Sequence, residues 1–171
     1  MQAIIALGAN LGNPCATLQQ AVNEIRALDN VQVTAVSSLY RTKPVGYADQ
    51  DDFINAVITV DTTLPPLELY RHLAALEQKH HRVRLFKNGP RTLDLDVIAC
   101  EQLQSNDPTL TLPHPRAQER AFVLVPLAEI APDFVFPDSG LSVAAALDRI
   151  SEADKADIIK LSTPSLQAMQ Q

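Results

Sequence analysis

The sequence predicts one α+β domain of ferredoxin-like topology, and three observations support this prediction. The chain has 171 residues of which 46% are hydrophobic, enough for a single buried core. Its periodic segments follow one another in the order β-α-β-β-α-β up to about residue 103. No internal repeat and no linker-like stretch divides the chain. This order favours two helices on one face of a largely antiparallel sheet.

The strands and helices are predicted from hydrophobic periodicity and from turn residues. The predicted strands cover residues 3–8, 31–40, 53–61 and 94–103, with a short extended piece at 109–112. Helical periodicity covers residues 17–28, and further helices are predicted at residues 66–80, 122–130 and 143–150. Asn13 followed by Pro14 is typical of a helix start. We place the domain at residues 1–160 and a polar tail at 161–171, and we expect residues from Ser151 onward to form a frayed helix or to be disordered.

Composition and charge exclude several classes of protein. The net charge of −6 argues against a general nucleic-acid binder. No apolar run reaches the roughly 18 residues that a membrane span needs. No basic segment precedes the first strand, so we expect no secretory signal. Cys15 and Cys100 are far apart and lack the spacing of a zinc site. We therefore expect a cytoplasmic protein.

Basic residues are concentrated in one short stretch of this acidic chain. Residues 79–91 hold five of them, namely Lys79, Arg82, Arg84, Lys87 and Arg91. A basic segment on an otherwise acidic protein indicates a site for a small anion.

Two carboxylates follow that stretch at alternate positions of an apolar run. Side chains at positions i and i+2 of a strand share a face, so Asp94 and Asp96 point one way and Leu95 and Val97 the other way. Two like charges on one face repel each other unless a cation neutralises them, and hard oxygen ligands select Mg²⁺ or Ca²⁺. Beside the basic stretch, this pair predicts a site for a metal-bound polyphosphate.

Residues 87–98, Lys-Asn-Gly-Pro-Arg-Thr-Leu-Asp-Leu-Asp-Val-Ile, resemble the motif of the 6-hydroxymethyl-7,8-dihydropterin pyrophosphokinases of folate biosynthesis. The resemblance extends from residues 6–12 to residues 130–132 and 136–138. It implies a three-layer α-β-α elaboration of the predicted fold. It also implies transfer of the diphosphoryl group of ATP to the hydroxymethyl oxygen of the pterin, with Mg²⁺, in a two-ion arrangement. We expect small-molecule substrates and a monomer.

The resemblance assigns roles to residues across the chain. It implies that Asp94 and Asp96 hold the metal, and we expect Arg82 and Arg91 to stabilise charge on the transferred group. The nucleotide-contacting positions or their neighbours are Glu77, Arg84, Lys87, Arg91, Val97, Thr111, His114 and Arg120. The pterin-contacting positions are Thr42, Phe53, Asn55 and Phe122. Without the resemblance, Phe53 and Phe122 would be assigned to the core, and His114 could equally be a turn residue.

The chain departs from the enterobacterial version of the family at three positions. Asn88 stands in place of a tryptophan, and Lys87 and Thr109 stand in place of arginines. These changes affect how a loop at residues 85–90 would close over substrates and which phosphate contacts form. A second polar loop, at residues 43–52, is expected to close with it.

Two other functions fit parts of the sequence. Ferredoxin-like domains often bind RNA, but that use needs a basic sheet face with exposed aromatic side chains, whereas the predicted face carries Asp94 and Asp96. A metal-dependent phosphohydrolase could use the same carboxylates. Residues 8–12 join a strand to a helix but match neither glycine-rich phosphate motif, so we interpret them as a structural turn near the site.

Overall fold

A computed structural model of the chain describes residues 1–10, 12–43, 52–81 and 93–162. The strands in these ranges are β1 (Gln2–Ala9), β2 (Val31–Val36), β3 (Tyr40–Thr42), β4 (Phe53–Thr62), β5 (Asp94–Cys100), β6 (Ser105–Asp107), β7 (Leu110–Leu112) and β8 (Ile159–Lys160). The helices are α1 (Pro14–Arg26), α2 (Pro66–His81), α3 (Ala121–Ile130), α4 (Val143–Asp148) and α5 (Glu152–Ala156). The predicted loop at 85–90, and the one at 43–52 except for its two end residues, lie outside these ranges. None of the described helices is long and apolar enough to cross a membrane.

The main sheet has the strand order β5-β1-β4-β3-β8, with β2 also paired to β4, and every pairing is antiparallel. With β2 and β3 taken together, its core is the sheet of a β-α-β-β-α-β unit, so the α+β prediction is confirmed. The single strand predicted at residues 31–40 is instead two strands. Ser37 interrupts it: its backbone N–H donates to the Val57 carbonyl, and its hydroxyl accepts from the Val57 N–H, both at 2.9 Å.

Helices α1 and α2 cover one face of the sheet and form a first core with it. Helix α1 begins where the sequence predicts, because the Asn13 side chain accepts a hydrogen bond from the Ala16 N–H at 3.2 Å. Its apolar stripe is fully buried, as are Leu69 and Leu73 of α2 and the inward residues of β1, while Leu76 is partly buried against the same core. The buried side chains of this first core include Leu18, Val22, Ile25, Leu69, Leu73, Ile5 and Leu7.

Helices α3 and α4 cover the opposite face and form a second core. Alternate residues of the central strands point to this side, so Ile4 and Val57 pack here while Ile5 and Ile58 pack in the first core. Leu124 and Phe136 are among the fully buried members of the second core. The sheet is thus the middle of three layers, as the resemblance implies.

Of the two alternatives expected from Ser151 onward, a frayed helix or disorder, the described part shows a short capped helix followed by a strand, so the expectation of disorder was wrong for it. The Ser151 hydroxyl caps α5 by accepting from the Asp154 N–H at 3.1 Å. Strand β8 then pairs with β3, and the Leu161 N–H donates to the Leu39 carbonyl at 2.9 Å. Leu161 packs against the first core, so the segment is ordered because it covers an otherwise open sheet edge. Residues 163–171 lie outside the described ranges.

Candidate active site

A cavity of about 670 Å³ lies on the sheet face that carries α3. This volume is in the range of small-ligand sites. The cavity brings together predicted site residues from four separate parts of the chain. Those lining it are Thr42, Phe53, Asn55, Asp94, Asp96, His114, Arg120 and Phe122.

The carboxylates of β5 both face this cavity, because the strand alternates as predicted. Leu95 and Val97 are 4% exposed and belong to the first core, whereas Asp94 is half-buried and Asp96 is exposed. Pairing with β1 sets Asp94 opposite Gly8 and Asp96 opposite Ala6. Small residues on the neighbouring strand leave the space above the carboxylates open.

The amide of Asn55 is fixed at the other side of the cavity. Its Nδ2 donates to Thr42 Oγ1 at 2.8 Å, and both residues are buried. Gly8 lies opposite Asn55 in the sheet, and a Cβ at Gly8 would come within 2.8 Å of Asn55 Oδ1. A larger residue at position 8 would therefore displace this amide. The sequence assigned Gly8 only to a turn, since nothing local reveals which residue lies opposite it.

Two aromatic rings line the cavity and are only half-buried. Phe53 begins β4, and Phe122 lies in the first turn of α3. The Arg120 guanidinium carbon lies 5.4 Å from the centroid of the Phe122 ring, within range of a cation–π interaction. Phe122 also packs against the second core. Its ring therefore has a core contact and a cavity-facing side.

His114 is held by backbone contacts on both sides. Its N–H donates to the Ile98 carbonyl at 2.7 Å, and its Nδ1 accepts from the Arg116 N–H at 3.2 Å. Burial lowers the pKa of His114, and Arg120 and Arg116 lower it further against the opposing effect of Asp96. The lowered pKa favours the neutral ring at pH 7, and Nδ1 as acceptor assigns the proton of that neutral ring to Nε2.

Three predicted nucleotide residues lie outside the lining of the cavity. The Glu77 carboxylate accepts a hydrogen bond from the Leu95 N–H at 2.8 Å, so it contacts the carboxylate strand itself. The Val97 side chain faces the first core. The Thr111 hydroxyl donates to the Asp107 carbonyl at 3.1 Å within the β6–β7 hairpin. The remaining predicted residues lie outside the described ranges: Arg82, Arg84, Lys87 and Arg91.

The cavity also includes residues that the sequence did not single out. Apart from Gly8, the polar or charged ones are Lys43, Arg116, Glu119, Asp154 and Asp157, and Ile158 is an apolar one. The one local signal in the sequence that could have identified Arg116 is its position two residues after the predicted site residue His114. The C-terminal residues gave no signal, because only the pairing of β8 with β3 brings them to the site.

These features define a class of protein. An α+β domain with a cavity that joins a carboxylate pair, arginine and histidine donors, a buried amide and aromatic rings is suited to bringing an anionic co-substrate to a planar molecule.

Sequence comparison identifies the class more narrowly. The model of the 7,8-dihydro-6-hydroxymethylpterin-pyrophosphokinase (HPPK) family matches residues 4–132, and the chain belongs to this family. It is 45% identical over 148 residues to the 2-amino-4-hydroxy-6-hydroxymethyldihydropteridine pyrophosphokinase of Synechocystis sp., covering 86% of this chain and 75% of that protein. It is also 45% identical over 149 residues to the enzyme of the same name from Methylorubrum extorquens, covering 87% of this chain and 93% of that protein.

Solved structures agree on the fold. A crystal structure of a Plasmodium falciparum HPPK-DHPS triple mutant with pteroate matches with a TM-score of 0.72 and 12% sequence identity. The match covers 93% of this chain and 46% of that one, so the chain spans about half the length of that protein. At this identity the similarity concerns the fold alone.

Proposed function

We propose that this chain transfers the diphosphoryl group of ATP to the hydroxymethyl oxygen of 6-hydroxymethyl-7,8-dihydropterin, giving AMP and the pterin diphosphate in folate biosynthesis. The observation that carries the proposal is one cavity lined both by the Asp94/Asp96 pair and by the hydrogen-bonded Asn55–Thr42 pair. Family membership and the names of the relatives agree with this reaction.

The pterin is assigned to the part of the cavity around Asn55. The Asn55 side chain is held by Thr42 at 2.8 Å, so its amide is oriented before the substrate binds, which limits the entropy lost on binding. An amide offers both a donor and an acceptor to the edge of a heterocycle. Phe53 and Phe122 supply the aromatic faces on which a planar ring can stack.

The ATP phosphates are assigned to the part of the cavity around His114 and Arg120. A neutral His114 with its proton on Nε2 can donate to a phosphate oxygen. Arg120 offers several donors in a fixed geometry, and Arg116 adds a second guanidinium to the same wall. We include Arg82, Arg84, Lys87 and Arg91 in this proposal, together with Glu77, Val97 and Thr111, on the basis of the resemblance alone.

The chemistry of Asp94 and Asp96 fits Mg²⁺. No cluster of three or more histidine, cysteine, aspartate or glutamate side chains that could hold a metal occurs among the described residues. Mg²⁺ does not need one, because it is commonly held by one or two carboxylates together with substrate phosphates and water. When bound between these carboxylates and the phosphates, it would neutralise charge and lower the pKa of the attacking hydroxyl.

The reaction is an in-line displacement at the β-phosphorus. The hydroxymethyl oxygen releases its proton to water and forms a bond to this phosphorus while the bond to the oxygen of the α-phosphate breaks, and that oxygen leaves with AMP. The residues of the chain act by positioning: Asn55 and the aromatic rings hold the pterin, and His114 and the arginines hold the phosphates. We propose that Arg82 and Arg91 stabilise charge on the transferred group.

We also propose that the chain acts as a monomer in the cytoplasm. Cys15 and Cys100 are free thiols, which is typical of a reducing compartment. Light scattering during size-exclusion chromatography tests whether the chain is a monomer, and the mass of a dimer would contradict this proposal.

The decisive experiment is incubation with ATP and Mg²⁺, with and without the pterin. We expect AMP and the pterin diphosphate to form in equal amounts, and only when the pterin is present. Release of inorganic phosphate without the pterin would identify a phosphohydrolase. Omitting Mg²⁺ and adding a chelator should stop the reaction, and unchanged turnover would contradict the metal assignment.

A further inference from the structure

The C-terminal segment at residues 151–161 reaches the cavity, although it lies beyond the family match, which ends at residue 132. Asp154, Asp157 and Ile158 all line the cavity. The segment is therefore a part of the site that the family match does not assign.

Three contacts hold this segment in place. Strand β8 pairs with β3, and the Leu161 N–H donates to the Leu39 carbonyl at 2.9 Å. The Lys160 ammonium lies 3.7 Å from the Glu129 carboxylate of α3. Strand β3 carries Thr42, so the segment adjoins the strand that orients Asn55.

The register shows which end of the cavity the segment borders. In the β3–β8 pair, Tyr40 lies opposite Lys160 and Arg41 lies opposite Ile159. Ile158 directly precedes β8 and Thr42 ends β3, so the same antiparallel course brings Ile158 toward Thr42, and both residues line the cavity. Ile158 is half-buried and lines the cavity, whereas its neighbour Ile159 is 48% exposed. Of these two neighbours Ile158 lines the cavity and Ile159 does not, so Ile158 is the one presented to a ligand.

The charge of the segment agrees with this location. Asp154 and Asp157 would repel the phosphates of ATP, so this wall suits an uncharged ring and not the triphosphate. Resting on the proposed function, we propose that Asp154, Asp157 and Ile158 form a wall of the pterin subsite and that Ile158 contacts the pterin and sets the affinity for it.

The test compares Ile158→Ala with the matched control Ile159→Ala, which removes the same atoms from the solvent-facing neighbour. Binding of the pterin is measured by calorimetry in the presence of Mg²⁺ and a non-hydrolysable ATP analogue. We expect Ile158→Ala to raise the Kd and the KM for the pterin about fivefold, with the KM for ATP and the kcat within twofold of the parent values. The pterin Kd of Ile158→Val should fall between that of the parent and that of Ile158→Ala, and the Kd of Ile159→Ala should match the parent.

Melting curves and the affinity for the ATP analogue separate a local effect from a loss of fold. If Ile158→Ala and Ile159→Ala have the same pterin affinity, or if Ile158→Ala weakens ATP and pterin equally, the proposal is overturned. The proposed function is judged separately, by whether the parent protein forms AMP only with the pterin. If the parent passes this test but Ile158→Ala has the same pterin affinity as Ile159→Ala, only the proposal about the wall is overturned and the proposed function stands.

Discussion

The Glu77 carboxylate of α2 accepts a hydrogen bond from the backbone N–H of Leu95, 2.8 Å away. Leu95 lies between Asp94 and Asp96 on β5, an edge strand of the main sheet. A helix side chain thus satisfies a backbone donor on the outer side of the strand that carries both carboxylates.

Replacing Glu77 with alanine should remove this support. We expect Glu77→Ala to lower the free energy of unfolding by about 1–3 kcal/mol, since it deprives a partly buried donor of its partner. The kcat/KM should fall at least about tenfold, because the carboxylates lose their position. Glu77→Gln keeps an acceptor and should recover most of both. Denaturant unfolding and steady-state kinetics measure the two effects, and equal losses in both variants would show that the charge of Glu77 is what matters.

Asp94→Asn and Asp96→Asn should each nearly abolish transfer while preserving the fold. We expect a loss in kcat of at least roughly 100-fold, the scale of losing one strong electrostatic stabiliser. Stability in metal-free buffer should hold or rise slightly, because removing one charge relieves the repulsion between neighbouring carboxylates. The exposed Asp133 provides a control, as Asp133→Asn should behave like the parent. Near-normal turnover by either site variant would refute the metal assignment.

Phe122→Ala should weaken pterin binding more than ATP binding. Loss of a stacked aromatic ring removes about 1 kcal/mol beyond the area it buries, or roughly a fivefold change in Kd. Phe134 packs edge-on against Phe136 with a centroid separation of 5.4 Å and serves as the core control. Phe134→Ala should melt earlier but keep its pterin affinity. Should Phe122→Ala show the same pattern as Phe134→Ala, the ring is a core residue and not a ligand contact.

Gly8→Ala should act on pterin binding through Asn55. The new Cβ would lie 2.8 Å from Asn55 Oδ1, so the amide must shift and its hydrogen bond to Thr42 is disturbed. We expect pterin affinity to fall about as far as in Asn55→Ala, by roughly tenfold for a site that hydrogen-bonds its ligand. The double variant should be little worse than Asn55→Ala alone, because the two changes share one mechanism. Additive losses in calorimetric titrations would mean that Gly8 acts independently.

Glu129 should make stability depend on pH in the acid range. Although burial works to raise the pKa of Glu129, hydrogen bonds from Ser38 and Tyr40, together with Lys160, lower it below the ordinary value of 4.5. A depressed carboxyl pKa stabilises the folded state above the unfolded pKa, and this stabilisation is lost as the pH falls through the folded pKa.

Glu129→Gln should therefore be about 1 kcal/mol less stable than the parent at pH 7. The effect is limited to this size because Glu129 is partly exposed and water screens its interactions. The difference should shrink as the pH falls below about 4.5. Urea unfolding between pH 3 and pH 7 measures it, with Glu152→Gln as the control, since the Glu152 side chain is 93% exposed. A difference that stays constant with pH would show that the charge of Glu129 contributes nothing.

Much of the fold could be predicted because its signals are local. The alternation of Asp94, Leu95, Asp96 and Val97 determines which side chains enter the core, since a strand turns each successive residue to the other face. Asn13 with Pro14 marks the start of α1 in the same local way. The βαββαβ order then restricts the sheet to few arrangements. For these reasons the sequence predicted both the carboxylate pair and its neighbours in the core.

Other features of the site were decided by tertiary structure alone. Gly8 lies opposite Asn55, 47 positions further along the chain, and Glu77 reaches Leu95 from a different layer. Ile158 reaches the cavity only because β8 pairs with β3. Each of these contacts depends on the register between distant segments, which the packing of both cores sets. Local periodicity determined which way each side chain points, and only the folded sheet determined what it meets there.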